Sequence, residues 1–253
     1  MRNFLIRILR ALVIVAVAAS FAHADDFMYF KKKAAAGGGG LSISVLTSGL
    51  TTTNPDNTAS ITPASGSVVY VAVAVAYNAA VNNIGVTVSG CGLTWVALDN
   101  VVYNPGGRRF IHVSKGTGSP SAGVLTITAT SSAGTYQETM YSVVQVTGAD
   151  GTTPNDAPVK PTSIATGTTL STPDVGTPGS GDAVFVMLGM ENATNNIALT
   201  GSINQLTKIE NGGNIRSFIV GYEAGASPDE TPGATWSTNA SAGAIGFIIN
   251  VAP

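Results

Sequence analysis

Charge is what this sequence has least of. Only 10% of its 253 residues are Asp, Glu, Lys or Arg, against roughly 25% in an ordinary soluble domain. The formal net charge is −2, so there is no basic excess to neutralise phosphates, and nucleic acid is not an expected partner. Cysteine occurs once, at Cys91. That excludes a disulfide framework within the chain and any cysteine-rich metal site. Histidine occurs twice and aromatic residues make up 7%. No amphipathic helical period of useful length is present. The chain is nevertheless 44% hydrophobic, too apolar for a disordered polymer. It is long enough for one large or two small domains with a sizeable core.

The N-terminus has the three parts of a secretory signal over residues 1–24. Arg2, Arg7 and Arg10 make the positive region, Ala11 to Phe21 the apolar run, and Ala22-His23-Ala24 the small-x-small cleavage site. The run is too short to span a bilayer, which takes roughly 20 apolar residues, so no transmembrane segment is expected in the mature chain. Residues 25–40 then pair an aromatic and lysine peptide (Phe27, Tyr29, Phe30, Lys31, Lys32, Lys33) with the glycine hinge Gly37–Gly40. Such a tethered, sticky peptide is a candidate for docking to a partner. Initiation at Met28 is the alternative reading, and it would remove the signal.

After the hinge, short β-branched runs recur between Gly, Pro, Asn, Ser and Thr, the signature of strands. They predict strands near 41–47, 67–77, 84–89, 93–98, 108–114, 123–130 and 137–147. A second series follows near 163–170, 182–190, 197–203, 205–210, 214–223, 233–238 and 244–252. The expected fold is an all-β sandwich over 41–253. The two series also repeat. Asn82-Asn83-Ile84 returns as Asn195-Asn196-Ile197, and Leu93-Thr94 as Leu206-Thr207. Later matches keep their order, which argues for a duplication with copies of about 41–150 and 158–253. The run Val68 to Tyr77 alternates Val with Ala and has no polar face. It belongs in mid-sheet with both faces covered, as does Ala183–Met190. Two such strands predict pseudo-symmetric halves packed around a shared core.

These runs, with Gly-Leu-Thr-Trp at 92–95, Arg-Arg-Phe-Ile-His-Val at 108–113 and Tyr-Ser-Val-Val-Gln-Val-Thr-Gly-Ala-Asp at 141–150, are the basis of a resemblance. Over about 60–253 the chain resembles a loosely defined group of jelly-roll-like β-sandwich domains, found in bacterial secreted proteins and in structural and tail proteins of tailed phages. The resemblance implies a surface or virion module for adhesion or assembly, and carries no catalytic residue across.

Enzyme chemistry is not expected. Cleavage leaves His112 as the single histidine, too few for a two-histidine metal site, and no G-x-S-x-G elbow accompanies it. Glu138 and Glu191 lie at strand ends, where solvation is the default role, and form no close carboxylate cluster. Cys91 reads as an unpaired thiol in a turn. For a bound sugar, Tyr77 and Tyr103 flank turns and are the aromatic candidates; with Arg108 and His112 they make the candidate ligand-binding set. Asp56, Asp150 and Asp156, in acidic loops, are candidate ligands for a structural Ca²⁺, though such residues also simply form turns. No other cofactor is expected. The short, uneven strands and a C-terminus without an aromatic argue against an outer-membrane barrel. The expected function is a non-enzymatic structural or adhesive module, secreted, on a cell surface or in a virion. A carbohydrate-binding module is the alternative, and a glycan-active enzyme comes third.

Overall fold

A computed structural model describes residues 40–253 apart from 82, 105, 162–164, 192–195, 212–215 and 226. The signal reading and the docking candidates Phe27 to Lys33 lie outside the described residues. Fourteen strands and no helix are found among the described residues.

The first sheet contains β1 (Ser42–Thr51), β3 (Val68–Tyr77), β5 (Leu93–Val102), β6 (Arg109–Gly118) and β8 (Tyr136–Thr147), in the order β1-β8-β3-β6-β5. The small sheet contains β2 (Asp56–Asn57), β4 (Gly85–Gly90) and β7 (Leu125–Thr130), in the order β2-β7-β4. The second large sheet contains β10 (Ala183–Met190), β11 (Ala198–Leu199), β12 (Asn204–Asn211), β13 (Arg216–Ala224) and β14 (Gly233–Ile249), in the order β11-β14-β10-β13-β12, with β9 (Ala165–Ser171) also on β14. All named pairings are antiparallel. The order β1-β8-β3-β6-β5 has a counterpart in β9-β14-β10-β13-β12, with each strand replaced by the one of the same rank in its own half.

β3 explains the layering. Alternation sends Val69, Val71, Val73, Val75 and Tyr77 to one face, where they join Val86, Val88, Leu125 and Ile127 of the small sheet in one core. Tyr70, Ala72, Ala74 and Ala76 point the other way, and all ten residues of the strand are buried. On that second face the Tyr70 ring lies 6.0 Å from Phe185 and 5.3 Å from Phe247. The first sheet is therefore a middle layer between the small sheet and the second large sheet. Both of its faces are covered, as a strand without a polar face requires.

The small residues set how closely the two large sheets approach. Gly189 of β10 and Gly243 of β14 are register partners, so two missing side chains leave one notch. Tyr103 of the first half fills it and is fully buried. A Cβ on Gly189 would lie 2.6 Å from Ile111 and 2.9 Å from the Tyr103 ring; one on Gly243 would lie 2.6 Å from Tyr103 Cβ. The link between the halves is laid along β14, with Val159 N–H donating to Gly246 O and Gly246 N–H returning the bond.

Three differences from the expected strands have local causes. Runs 233–238 and 244–252 form one strand, β14, because the exposed residues Ser237, Thr238 and Asn239 bulge out of the pairing with β9 instead of turning; the register shifts there, between Thr235 and Ala240. The run expected at 197–203 shrinks to Ala198–Leu199. The acidic loop at 54–57 is partly strand: the Asn54 side chain bonds both backbone groups of Ala129, at 2.7 and 3.0 Å, and adds the segment to β7. The strands at the ends of the large sheets, β1, β5 and β12, each carry a register shift, a device that blunts edges against further pairing.

Candidate functional site

A group of buried and half-buried polar side chains lies at the seam between the two large sheets. Arg109 pairs with Ala76, and Ala76 with Glu138, so all three share a row on the seam face. The small Ala76 leaves room for the two long side chains on either side of it. Arg109 Nη1 reaches Glu191 Oε1, just past β10, at 2.7 Å. Asn104 Nδ2 donates to the same oxygen, and Asn104 Oδ1 accepts the Arg108 N–H at 3.2 Å. Tyr103 is fully buried, Glu138 is 2% exposed and Arg109 9%. Glu138 is thus not the solvated strand end expected of it, while Glu191 lies just past its strand and stays partly exposed. Glu138 is enclosed by the sheets, and Glu191 is held by a cation from the other half. The chemistry this supports is a charge-assisted clasp between Arg109 and Glu191 across the seam.

His112 lies on the opposite face of β6, in the layer shared with the small sheet. It is 2% exposed. Its Nε2 is 2.8 Å from Ser114 Oγ, and its Nδ1 has no hydrogen-bond partner among the described residues. Burial pushes its pKa down to about 4, with the charge of Asp99 opposing. Among the described residues no carboxylate bonds the free ring nitrogen of this Ser–His pair. Asp99 is the register partner of Val113, which places it on the other face of the sheet; its carboxylate takes the Asn100 N–H and pairs with Lys160 at 2.5 Å. His112 therefore cannot reach a ligand on the surface, and its place in the ligand-binding set is corrected.

The two tyrosines of that set are corrected likewise. Tyr77 is 5% exposed, its ring 6.4 Å from Phe110 and 6.0 Å from Tyr136. Tyr103 fills the glycine notch. Their flanking turns suggested exposure, but both rings are core. Arg108 is exposed. Among the described residues, Trp95 on β5 and Tyr136 on β8 are half-buried, and Trp95 stands on the edge strand of the first sheet. Its ring lies on Gly116, where a Cβ would come within 2.8 Å of it, and its Nε1–H donates to Gly90 O at 3.2 Å.

The three calcium candidates do not converge. Asp150 accepts from Thr152 N, Thr153 N and Thr153 Oγ1 at 2.7, 3.2 and 3.0 Å, which holds its carboxyl below the usual carboxylate range. It thereby caps its own turn. Asp156 accepts from Asn250 Nδ2 at 3.0 Å. Asp56 turns inward on the small sheet, 8% exposed, and its Oδ2 has no hydrogen-bond partner among the described residues. No group of three or more His, Cys, Asp or Glu among the described residues is placed to hold a metal ion. No helix among them is long and apolar enough to cross a membrane.

What lies outermost was missed in the sequence. Thr87 and Ser89 of β4 face Thr128 and Thr126 of β7 in register, and with Thr130 and Asn57 they form the outer face of the small sheet, while Val86, Val88, Leu125 and Ile127 point inward. The second half has a similar patch, with Thr169 opposite Thr235 and Ser171 beside it, all exposed. Neither face carries a charge. The run Leu125-Thr-Ile-Thr-Ala-Thr130 already alternates apolar with hydroxyl residues, and that period was the available signal. Comparison with protein-family models, curated proteins and solved structures yields no match.

Proposed function

We propose that this chain is a non-enzymatic structural or adhesive module that acts by assembly with its own copies or with a larger surface. One observation carries the reading: His112, Glu138 and Arg109 are turned inward, while the outer face of the small sheet and the patch on β9 and β14 present hydroxyl groups without charge. A charge-free face can approach another copy of itself without like-charge repulsion. The blunted edges of β1, β5 and β12 favour face contacts over strand addition. We read the two halves as a duplication, supported by their shared strand order together with the repeated sequence. A secreted, surface or virion setting follows from the signal-like N-terminus and the resemblance of the strand pattern.

The test is to add charge. Thr87→Lys with Thr128→Lys places two cations on one face and changes no inward residue. Light scattering on the full chain is expected to show assembly weakened at low salt and partly restored at high salt. Assembly insensitive to both substitutions would sink the face-contact reading. Carbohydrate binding has one observation in its favour, the Trp95 ring fixed on Gly116 at the sheet edge. A glycan array probed with the native chain and with Trp95→Ala decides that alternative.

A further inference from the structure

The group that the reading above leaves unused is His112. Its surroundings are unusual for a titratable side chain. Val73 and Asn100 are its register partners on β3 and β5, and Tyr141 of β8 follows across Val73. The small sheet closes the layer with Val86, Val88, Leu125 and Ile127. The titratable groups elsewhere in this layer are Tyr77, Tyr136, Tyr141, Cys91 and Asp56. None of them supplies a hydrogen bond to Nδ1. Asp99 and Lys115 are on the far face of the first sheet. A proton added to the ring would therefore produce a buried cation facing no carboxylate within its hydrogen-bonding reach.

We propose that the layer between the first sheet and the small sheet is an acid-labile joint, opened by protonation of His112. Opening lets water reach the ring and uncovers the valine face of β3, so acid turns a sealed layer into an exposed apolar surface. The sign follows from the folded pKa lying below the ordinary value of 6.5, at about 4. Above pH about 6.5 both closed and open forms are neutral at His112 and the joint is unaffected. Between about 6.5 and 4 only the open form binds the proton, so the opening equilibrium rises about tenfold per pH unit, to roughly 300-fold in all. Below that window both forms are protonated and the effect is flat.

The experiment uses the full chain and His112→Gln. Urea unfolding of both at steps from pH 7.5 to 4 isolates the contribution of this side chain, because all other titrations are common to both. The native chain is expected to lose stability relative to the variant progressively below pH about 6.5; a difference that does not change with pH overturns the proposal. If His112→Gln does not fold, the ring is followed by NMR in the native chain. A ring that stays neutral down to near pH 4 supports the proposal, and titration near 6.5 overturns it. Location is read by amide exchange at pH 5. Selective loss of protection in β4, β6 and β7 with β10 retained is expected; uniform loss in every strand overturns the assignment to this layer.

Discussion

The glycine notch makes a prediction whose size follows from the distances. In Gly243→Ala the new Cβ arrives 2.6 Å from Tyr103 Cβ and 3.2 Å from Val101 Cγ1. Ordinary carbon contacts begin near 3.5 Å. The closest atom is a Cβ, fixed to its own backbone, so no rotamer change relieves the overlap, and the two large sheets must separate by about 1 Å locally. Overpacking of this kind costs about 1–3 kcal/mol. Against it stands the entropy that alanine removes from the unfolded chain, about 0.4–1 kcal/mol. The net expectation is a loss of about 1–2 kcal/mol, or a fall of roughly 2–8 °C in Tm for a chain of this size. Gly167→Ala on β9 is the control, since a Cβ there meets nothing within 4 Å; it is expected to be neutral or slightly stabilising. Urea unfolding of the two variants and the native chain gives the comparison. Equal effects, or stabilisation by Gly243→Ala, would refute the close packing of the halves through Tyr103.

Three further outcomes are expected. Arg109→Met leaves Glu191 without its cation and is expected to cost about 2–3 kcal/mol, below the usual loss for a broken buried pair because Glu191 reaches solvent; adding Glu191→Gln should recover part of it in a double-mutant cycle. Tyr77→Ala should cost about 3–5 kcal/mol in chemical denaturation, as the deletion of a core aromatic does; a native-like unfolding midpoint would return Tyr77 to the surface. The Cys91 thiol is buried and pushed up in pKa by that burial, so labelling by a thiol reagent at pH 7.5 should be slow in the folded chain and should accelerate with the unfolding transition; fast labelling of the folded protein would contradict its placement.

The fold was legible where a pattern was local. Val68 to Tyr77 alternates so strictly that both its faces, and their need for cover, could be read from ten residues. β14 reads as two strands because Ser237, Thr238 and Asn239 are turn formers by composition, whereas here they bulge out of one continuous strand beside β9. The seam was not legible at all. Arg109 and Glu191 stand 82 positions apart, and nothing at either site marks the other as its partner. Tyr103 beside a turn suggested exposure; its burial depends on two glycines in the other half, a relation visible only once the sheets are stacked. His112 was correctly placed on a strand, but which face met solvent depended on the small sheet covering it.

The central claim is that this molecule works by contact between charge-free faces. Sedimentation velocity of the full chain over a wide concentration range tests it most directly. A second, heavier boundary growing with concentration, and lost in the Thr87→Lys, Thr128→Lys variant, is the predicted result. A single monomeric boundary at every concentration would contradict it.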